Sequence, residues 1–240
     1  MKSLESELAE ARALEEDALA DAIESIGFEC TRCGACCKSE EPSASKDASG
    51  EFDDRQASDG TDPHTATVFP DEIRDLQAAG DYDFRDVARP MPYGLVDGPD
   101  GPSGETFEWA LQTDACGDCT FYEEDGEGVG ACTVHEDRPL ICETYPFSVA
   151  LGGTSQPMGE AVDGEGMVRA HECEGLGRDI PRADAEDLAG ALKERAIREL
   201  EEAIAVRDNY EPVDADEGDI VVHDSEGAKR VDGTPFEDAS

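Results

Sequence analysis

Four thiols fall within eight residues, in the run Cys30-Thr31-Arg32-Cys33-Gly34-Ala35-Cys36-Cys37. Two residues between cysteines let the backbone curl so that both sulfurs face one metal ion, and two such turns share Cys33. Gly34 stands where a tight turn tolerates positive φ. Packing does not explain the crowding, which would gather oxidisable groups without benefit. Successive side chains diverge in most backbone conformations. The adjacency of Cys36 and Cys37 therefore predicts that a single ion does not easily take both, whereas a larger cluster could. A second centre, or a ligand from elsewhere in the chain, is implied. Further thiols stand at Cys116, Cys119, Cys132, Cys142 and Cys173, nine in all. Tetrahedral zinc and each ordinary iron–sulfur cluster take four N or S ligands, so eight thiols could fill two sites.

Cys30, Cys33 and Cys36 match the first three positions of the bacterial ferredoxin run. The fourth cysteine then follows at once, with no proline behind it, so the match is partial. Mostly-cysteine ligation suits zinc and iron–sulfur chemistry alike. Zinc fits a purely structural role and a cluster an active one.

The compartment decides how the thiols are read. Met1 to Ile26 alternates acidic and apolar residues, unlike a signal peptide. No 18-residue apolar run occurs, so no membrane span is expected. A cytoplasmic protein follows, where clustered cysteines are more often ligands or catalytic thiols than disulfides. The chain of 240 residues carries 60 Asp and Glu against 19 Lys and Arg, a net charge of −41. The acidity is spread along nearly every segment. With so few lysines (Lys2, Lys38, Lys46, Lys193 and Lys229) it looks like adaptation to molar salt, where the Debye length falls to about 3 Å. Functional acidity is the other reading. Either way no basic patch exists to bind nucleic acid or an anionic membrane.

The hydrophobic fraction of 38% is below the ~45–50% of ordinary globular domains. An α+β architecture is expected: a small, irregular, cysteine-rich metal-binding domain with short strands, flanked by N- and C-terminal helices. Its boundaries are an N-terminal helix over 1–27, a cysteine-cluster domain over 28–180, a C-terminal helix over 181–210 and an acidic tail over 211–240. Residues 38–63 are polar and read as a disordered insertion. Leu4, Leu8, Ala11, Leu14, Ala18, Ala22 and Ile26 make one helical face, ended by Gly27. Thr67–Phe69 is a short strand, and Pro70 opens a helix that runs to Ala79 before Gly80. Residues 90–104 are a loop. Phe107, Trp109 and Leu111 alternate as in one half-buried strand, and the segments beginning at Cys119 and Ala131 pair as a hairpin. A second helix spans 183–209, with Leu188, Leu192, Ile197, Leu200 and Ile204 on one stripe. In the tail, only Ile220–Val222 touches down.

The run Phe28-Glu29-Cys30 to Cys37 resembles the signature of the YkgJ-like CxxCxxCC family of zinc- or iron-chelating domains. Downstream, Cys119-Thr120-Phe121 resembles its C-x-F segment. Cys132-Thr133-Val134-His135, Arg138-Pro139 and Cys142 to Tyr145-Pro146-Phe147 resemble its C-x-I-Y-x-x-R-P-x-x-C-x-x-F-P-F segment, and Cys173-Glu174-Gly175 its closing C-x-G. The resemblance implies a ligand set of Cys30, Cys33, Cys36, Cys37, Cys119, Cys132, Cys142 and Cys173. His135 stands where the family usually has tyrosine and Glu143 where arginine often follows; Cys116 is an extra thiol.

His135 and His171, close in sequence to Cys132 and Cys173, are nitrogen ligands or hydrogen-bonded side chains. His64 and His223 fall in polar segments and read as solvated. Arg32, Lys38 and Arg138 beside cysteines could offset thiolate charge, or Arg138 could tie loop carbonyls. Neither GxxxxGK[ST] nor a strand-linked GxGxxG is present, which excludes nucleotide use on those motifs. Three functions fit: a metal-binding protein holding zinc or an iron–sulfur centre; a redox enzyme or electron carrier; a structural zinc scaffold for a protein partner. With so few apolar residues, the metal-free chain is expected to be partly unfolded.

Overall fold

The computed structural model describes residues 2–39, 62–99, 101–151, 161–163, 166–216 and 218–236. Most of the expected 38–63 insertion, residues 40–61, lies outside them. The helices are α1 (Leu4–Arg12), α2 (Glu16–Ile26), α3 (Pro70–Ala79), α4 (Phe84–Val87), α5 (Leu140–Thr144) and α6 (Arg182–Asn209). The strands are β1 (Thr67–Val68), β2 (Ala88–Pro90), β3 (Val96–Gly98), β4 (Gly101–Phe107), β5 (Trp109–Leu111) and β6 (Tyr122–Glu124). They continue with β7 (Gly130–Cys132), β8 (Phe147–Val149), β9 (Ala161–Asp163), β10 (Val168–His171), β11 (Ile220–Asp224) and β12 (Gly227–Lys229). The mixture of helices and small sheets is the expected α+β class, with helices at both ends.

Two hydrophobic cores organise these elements. In the first, Leu8, Ala11, Leu14, Leu19, Ala20 and Ile23 of the N-terminal segment meet Ala185, Ala189, Leu192, Ala196 and Leu200 of α6. The antiparallel sheet β8-β10-β9 adds Phe147, Val149, Val168 and Ala170. The apolar stripe from Leu4 to Ile26 is carried by two helices rather than one. The Ala13 N–H falls back onto Ala9 and Glu10 carbonyls, and a new helix starts at Glu16 with Glu16 and Asp17 in its first turn. Neither Gly nor Pro marks the break, and Leu14 stays buried through it. Gly27 (φ +77°) closes α2 by donating to the Ile23 carbonyl at 2.8 Å.

The second core gathers Val68, Ile73, Leu76, Val87, Trp109, Leu111, Phe121, Val134 and Val222. The sheet β1-β5-β2 supplies its floor. The α3 helix spans the expected residues. Glu72 caps it by accepting the Phe69 N–H at 2.9 Å, which fixes an orphan donor of the first turn.

Several expectations change. The expected 90–104 loop contains β3 and the first part of β4. Phe107 and Trp109 belong to different sheets, because Glu108 sits at φ +69° between β4 and β5 and turns the chain. Phe107 consequently remains exposed while Trp109, Ala110 and Leu111 are all buried. The segment after 211 is more than a brief touch. β11 runs parallel to β4 and pairs with β12 on its other edge, in the order β12-β11-β4-β3, with Val221 and Val222 fully buried. Asp224 of β11 accepts the Trp109 indole N–H at 2.9 Å. His223 is buried against Glu105 rather than solvated as expected, and His64 is half-buried, with burial lowering its imidazole to about 4.

Candidate metal centre

The cysteine run leaves α2 through an extended segment pinned to the far end of the family motif. Phe28 bridges to Leu176, and the Glu29 N–H donates to the Gly175 carbonyl at 3.0 Å. A Cβ on Gly175 would lie 2.4 Å from the Glu29 carbonyl oxygen, so glycine lets the strands approach and brings Cys173 beside the run. Gly34 holds φ +76° and starts a 3-10 turn, Ala35–Cys37, closed by the Cys37 N–H on the Gly34 carbonyl at 2.9 Å.

Hairpin β6–β7 packs on that turn. Arg32 and Gly130 exchange two hydrogen bonds, Gly130 N–H to the Arg32 carbonyl at 2.7 Å and Arg32 Nε to the Gly130 carbonyl at 2.9 Å. Tyr122 lies directly over Gly34, where a Cβ would come 2.2 Å from its hydroxyl. The Cys119 N–H donates to the Cys37 carbonyl at 2.8 Å, and β7 places Cys132 opposite Tyr122. Glu72 ties α3 to the start of α5 by accepting the Leu140 N–H at 2.9 Å, two residues before Cys142. Segments distant in the chain thus deliver their thiols to one region.

All nine cysteines are free of disulfides. The sulfurs of Cys36 and Cys37 are 3.8 Å apart. The expected divergence of adjacent side chains does not occur, because the 3-10 turn folds them to the same side. Two sulfurs at ~2.3 Å from one tetrahedral ion stand about 3.8 Å apart, so this pair has the spacing of shared ligands. Among the described residues, no three His, Cys, Asp or Glu side chains already stand in ion-holding geometry.

The electrostatics reports which thiols are neighbours. Cys36 is lowered to about 7, chiefly by a hydrogen bond from Cys37 and also by Arg138. Cys37 rises strongly because of that bond and burial, and through Cys36, Cys142 and Cys119. Burial pushes Cys119 up to about 11, with Cys132 and Cys36 adding to it. Cys132 and Cys142 are raised by burial first and by Cys36 among their neighbours. Burial likewise raises Cys173, with Cys33, Cys36 and Cys30 contributing. The field of Cys36 therefore reaches thiols from every other cysteine-bearing block of the motif. Buried, raised thiols ionise when a cation arrives to replace the lost water, which is what a thiophilic metal does. The donor chemistry fits such a metal.

The remaining sequence candidates separate. Cys116 is exposed, and its backbone N–H donates to Asp114. His135 accepts from Arg138 through Nε2 at 2.6 Å and lies 3.3 Å from Glu136 through Nδ1, so both ring nitrogens have side-chain partners other than the sulfurs. His171 is buried against the Ser148 hydroxyl at 2.8 Å. Lys38 pairs with Glu124 and lies over the Tyr122 ring, while Arg32 serves the hairpin. Arg138 acts on both Cys36 and Cys132. Tyr122 and Glu72 support the site without a sequence signal that points to it. Their roles depend on a Cβ-free turn and on a cap serving two helices, and the Pro70/Glu72 spacing signals only the first cap.

A protein-family model, CxxCxxCC, described as a putative zinc- or iron-chelating domain, matches residues 29–174. That is more than half of the 240 residues, and the chain belongs to this family. No curated protein and no solved structure matches it.

Proposed function

We propose that this chain is a metal-binding protein that holds zinc or an iron–sulfur centre through Cys30, Cys33, Cys36, Cys37, Cys119, Cys132, Cys142 and Cys173. The observation that carries this reading is the gathering of thiols from distant segments around Cys36. The 3.8 Å Cys36–Cys37 spacing and the family membership support it.

The chain's own residues contribute position and charge. The Gly34 turn and its Tyr122 lid fold Cys36 and Cys37 to one side. Glu72 anchors the helix that carries Cys142. Arg138 supplies positive charge beside Cys36 and Cys132, offsetting part of the net negative charge that thiolates give a zinc centre. Bound zinc would cross-link these segments; a bound iron–sulfur cluster would add one-electron chemistry. Free thiols in this number persist in a reducing compartment such as the cytosol.

Metal and acid-labile sulfide analysis of anaerobically purified protein, with its visible spectrum, tests the reading. Colourless protein with stoichiometric zinc assigns a zinc centre. A reducible chromophore with iron and sulfide assigns an electron-transfer or redox role. Protein containing neither metal contradicts the proposal.

A further inference from the structure

The eight thiols do not share one environment. Cys119 is buried, and the half-buried Cys37, Cys132 and Cys142 pack against the second core, which contains Val134 and Phe121. Their segments are locked by the Cys119–Cys37 backbone bond at 2.8 Å, the β6–β7 register and the Glu72–Leu140 bond at 2.9 Å. Cys30 is exposed and Cys33 and Cys173 are half-buried. Cys30 and Cys173 flank the strand-like contact between Glu29 and Gly175, where the Gly175 N–H lies 3.4 Å from the Cys173 sulfur, and Cys33 lies within the field of Cys173. Cys36 is exposed between the two groups, 3.8 Å from Cys37 and within the field of Cys173.

We propose that the thiols form two adjacent metal centres of different character. A closed inner centre is built from Cys37, Cys119, Cys132 and Cys142, and an open outer centre from Cys30, Cys33 and Cys173, with Cys36 at the junction able to serve either. The inference rests on the metal-binding reading above and deepens it. A four-thiolate set backed by a hydrophobic core, with Cys119 buried, is shielded from competing ligands, which is the character of structural sites; a three-thiolate set that includes the exposed Cys30 keeps a position open. The inner ion holds the second core together, and the outer one exchanges with thiophilic divalent ions in solution. Cys36 gives the outer ion a donor that already faces the inner set.

The test uses the full-length reduced chain, loaded anaerobically with Zn2+, freed of excess and challenged with a chromogenic chelator. Two zinc equivalents are expected, released in two phases. Cys173→Ser and Cys30→Ser should each abolish the fast phase, retain the slow equivalent and leave the circular dichroism unchanged. A single equivalent in the unaltered chain, a single release phase, or loss of both equivalents in both variants overturns the two-centre inference while leaving metal binding intact. Failure of the unaltered chain to bind any zinc, with no iron in the native protein, overturns the underlying reading as well.

Discussion

At the residue scale, the site depends on a few positions where the backbone has no alternative. Gly34 combines positive φ with the Tyr122 hydroxyl 2.2 Å from a would-be Cβ. Gly34→Ala should cost about 1–3 kcal/mol from strain alone. It should also lower metal content, read by denaturant midpoint and elemental analysis; an unchanged midpoint would show that the turn is not a constraint. Glu108 is a different kind of strained residue. Burial, with Glu199 and Glu202 nearby, pushes its carboxyl up to about 7 from an ordinary 4.5. Between those values the folded chain holds a proton that the unfolded chain has released, so its contribution to stability falls as pH rises through that window. Glu108→Gln should flatten the fall, making the variant melt higher than the parent near pH 8, with little difference at about pH 5. The crowding of Cys30, Cys33, Cys36 and Cys37 is legible in the sequence, where thiols at this spacing make chemical sense chiefly as metal ligands; Cys119, Cys132, Cys142 and Cys173 join them only through the family resemblance. The approach of Cys36 to Cys37 is not, since it depends on a 3-10 turn that sequence adjacency argues against. The burial of His223 is hidden for a related reason: polar neighbours such as Asp224 are buried with it, and Asp224 bonds Trp109.

At the scale of elements, helices with strong end signals are legible and strands without them are not. Pro70, Asp71, Glu72 and Gly80 bracket α3. The break between α1 and α2 has no such punctuation, and the 3.6-residue stripe passes through it. The β4 strand is hidden by Gly101, Pro102 and Gly104, which are poor strand formers in isolation but pair with β11 and β3. The extent of β11 is masked because its three apolar residues sit in an acidic tail; what makes them a strand is the waiting edge of β4. Val221 and Val222, both fully buried, should contribute about 3–6 kcal/mol together. A chain ending at residue 216 should therefore show a much lower unfolding midpoint, followed by Trp109 fluorescence. Retention of the full midpoint would mean that β11 is an accessory.

At the scale of the whole molecule, charge and metal do complementary jobs. Among the described residues, several of the scarce cations bridge elements. Arg182 contacts Asp17, Asp21 and Glu24 across α2 and α6, Arg12 meets Glu201, Lys193 meets Glu16 and Arg207 meets Glu5. Such exposed pairs are weak and screened by salt, and contribute far too little to offset a net charge of −41. Screening should matter more. We expect the melting temperature to rise as salt is increased from low ionic strength towards molar levels, where the Debye length is about 3 Å; a flat or falling profile would argue against salt adaptation. Among the described residues no helix is long and apolar enough to cross a membrane. The first core contains no thiol, whereas the second includes Cys119 and packs against Cys37, Cys132 and Cys142, so metal matters most where apolar burial is shared with sulfur. X-ray absorption at the metal edge of the native protein addresses that arrangement most directly. A shell of about four sulfurs near 2.3 Å is the expected result, and a first shell made only of oxygen and nitrogen would contradict it.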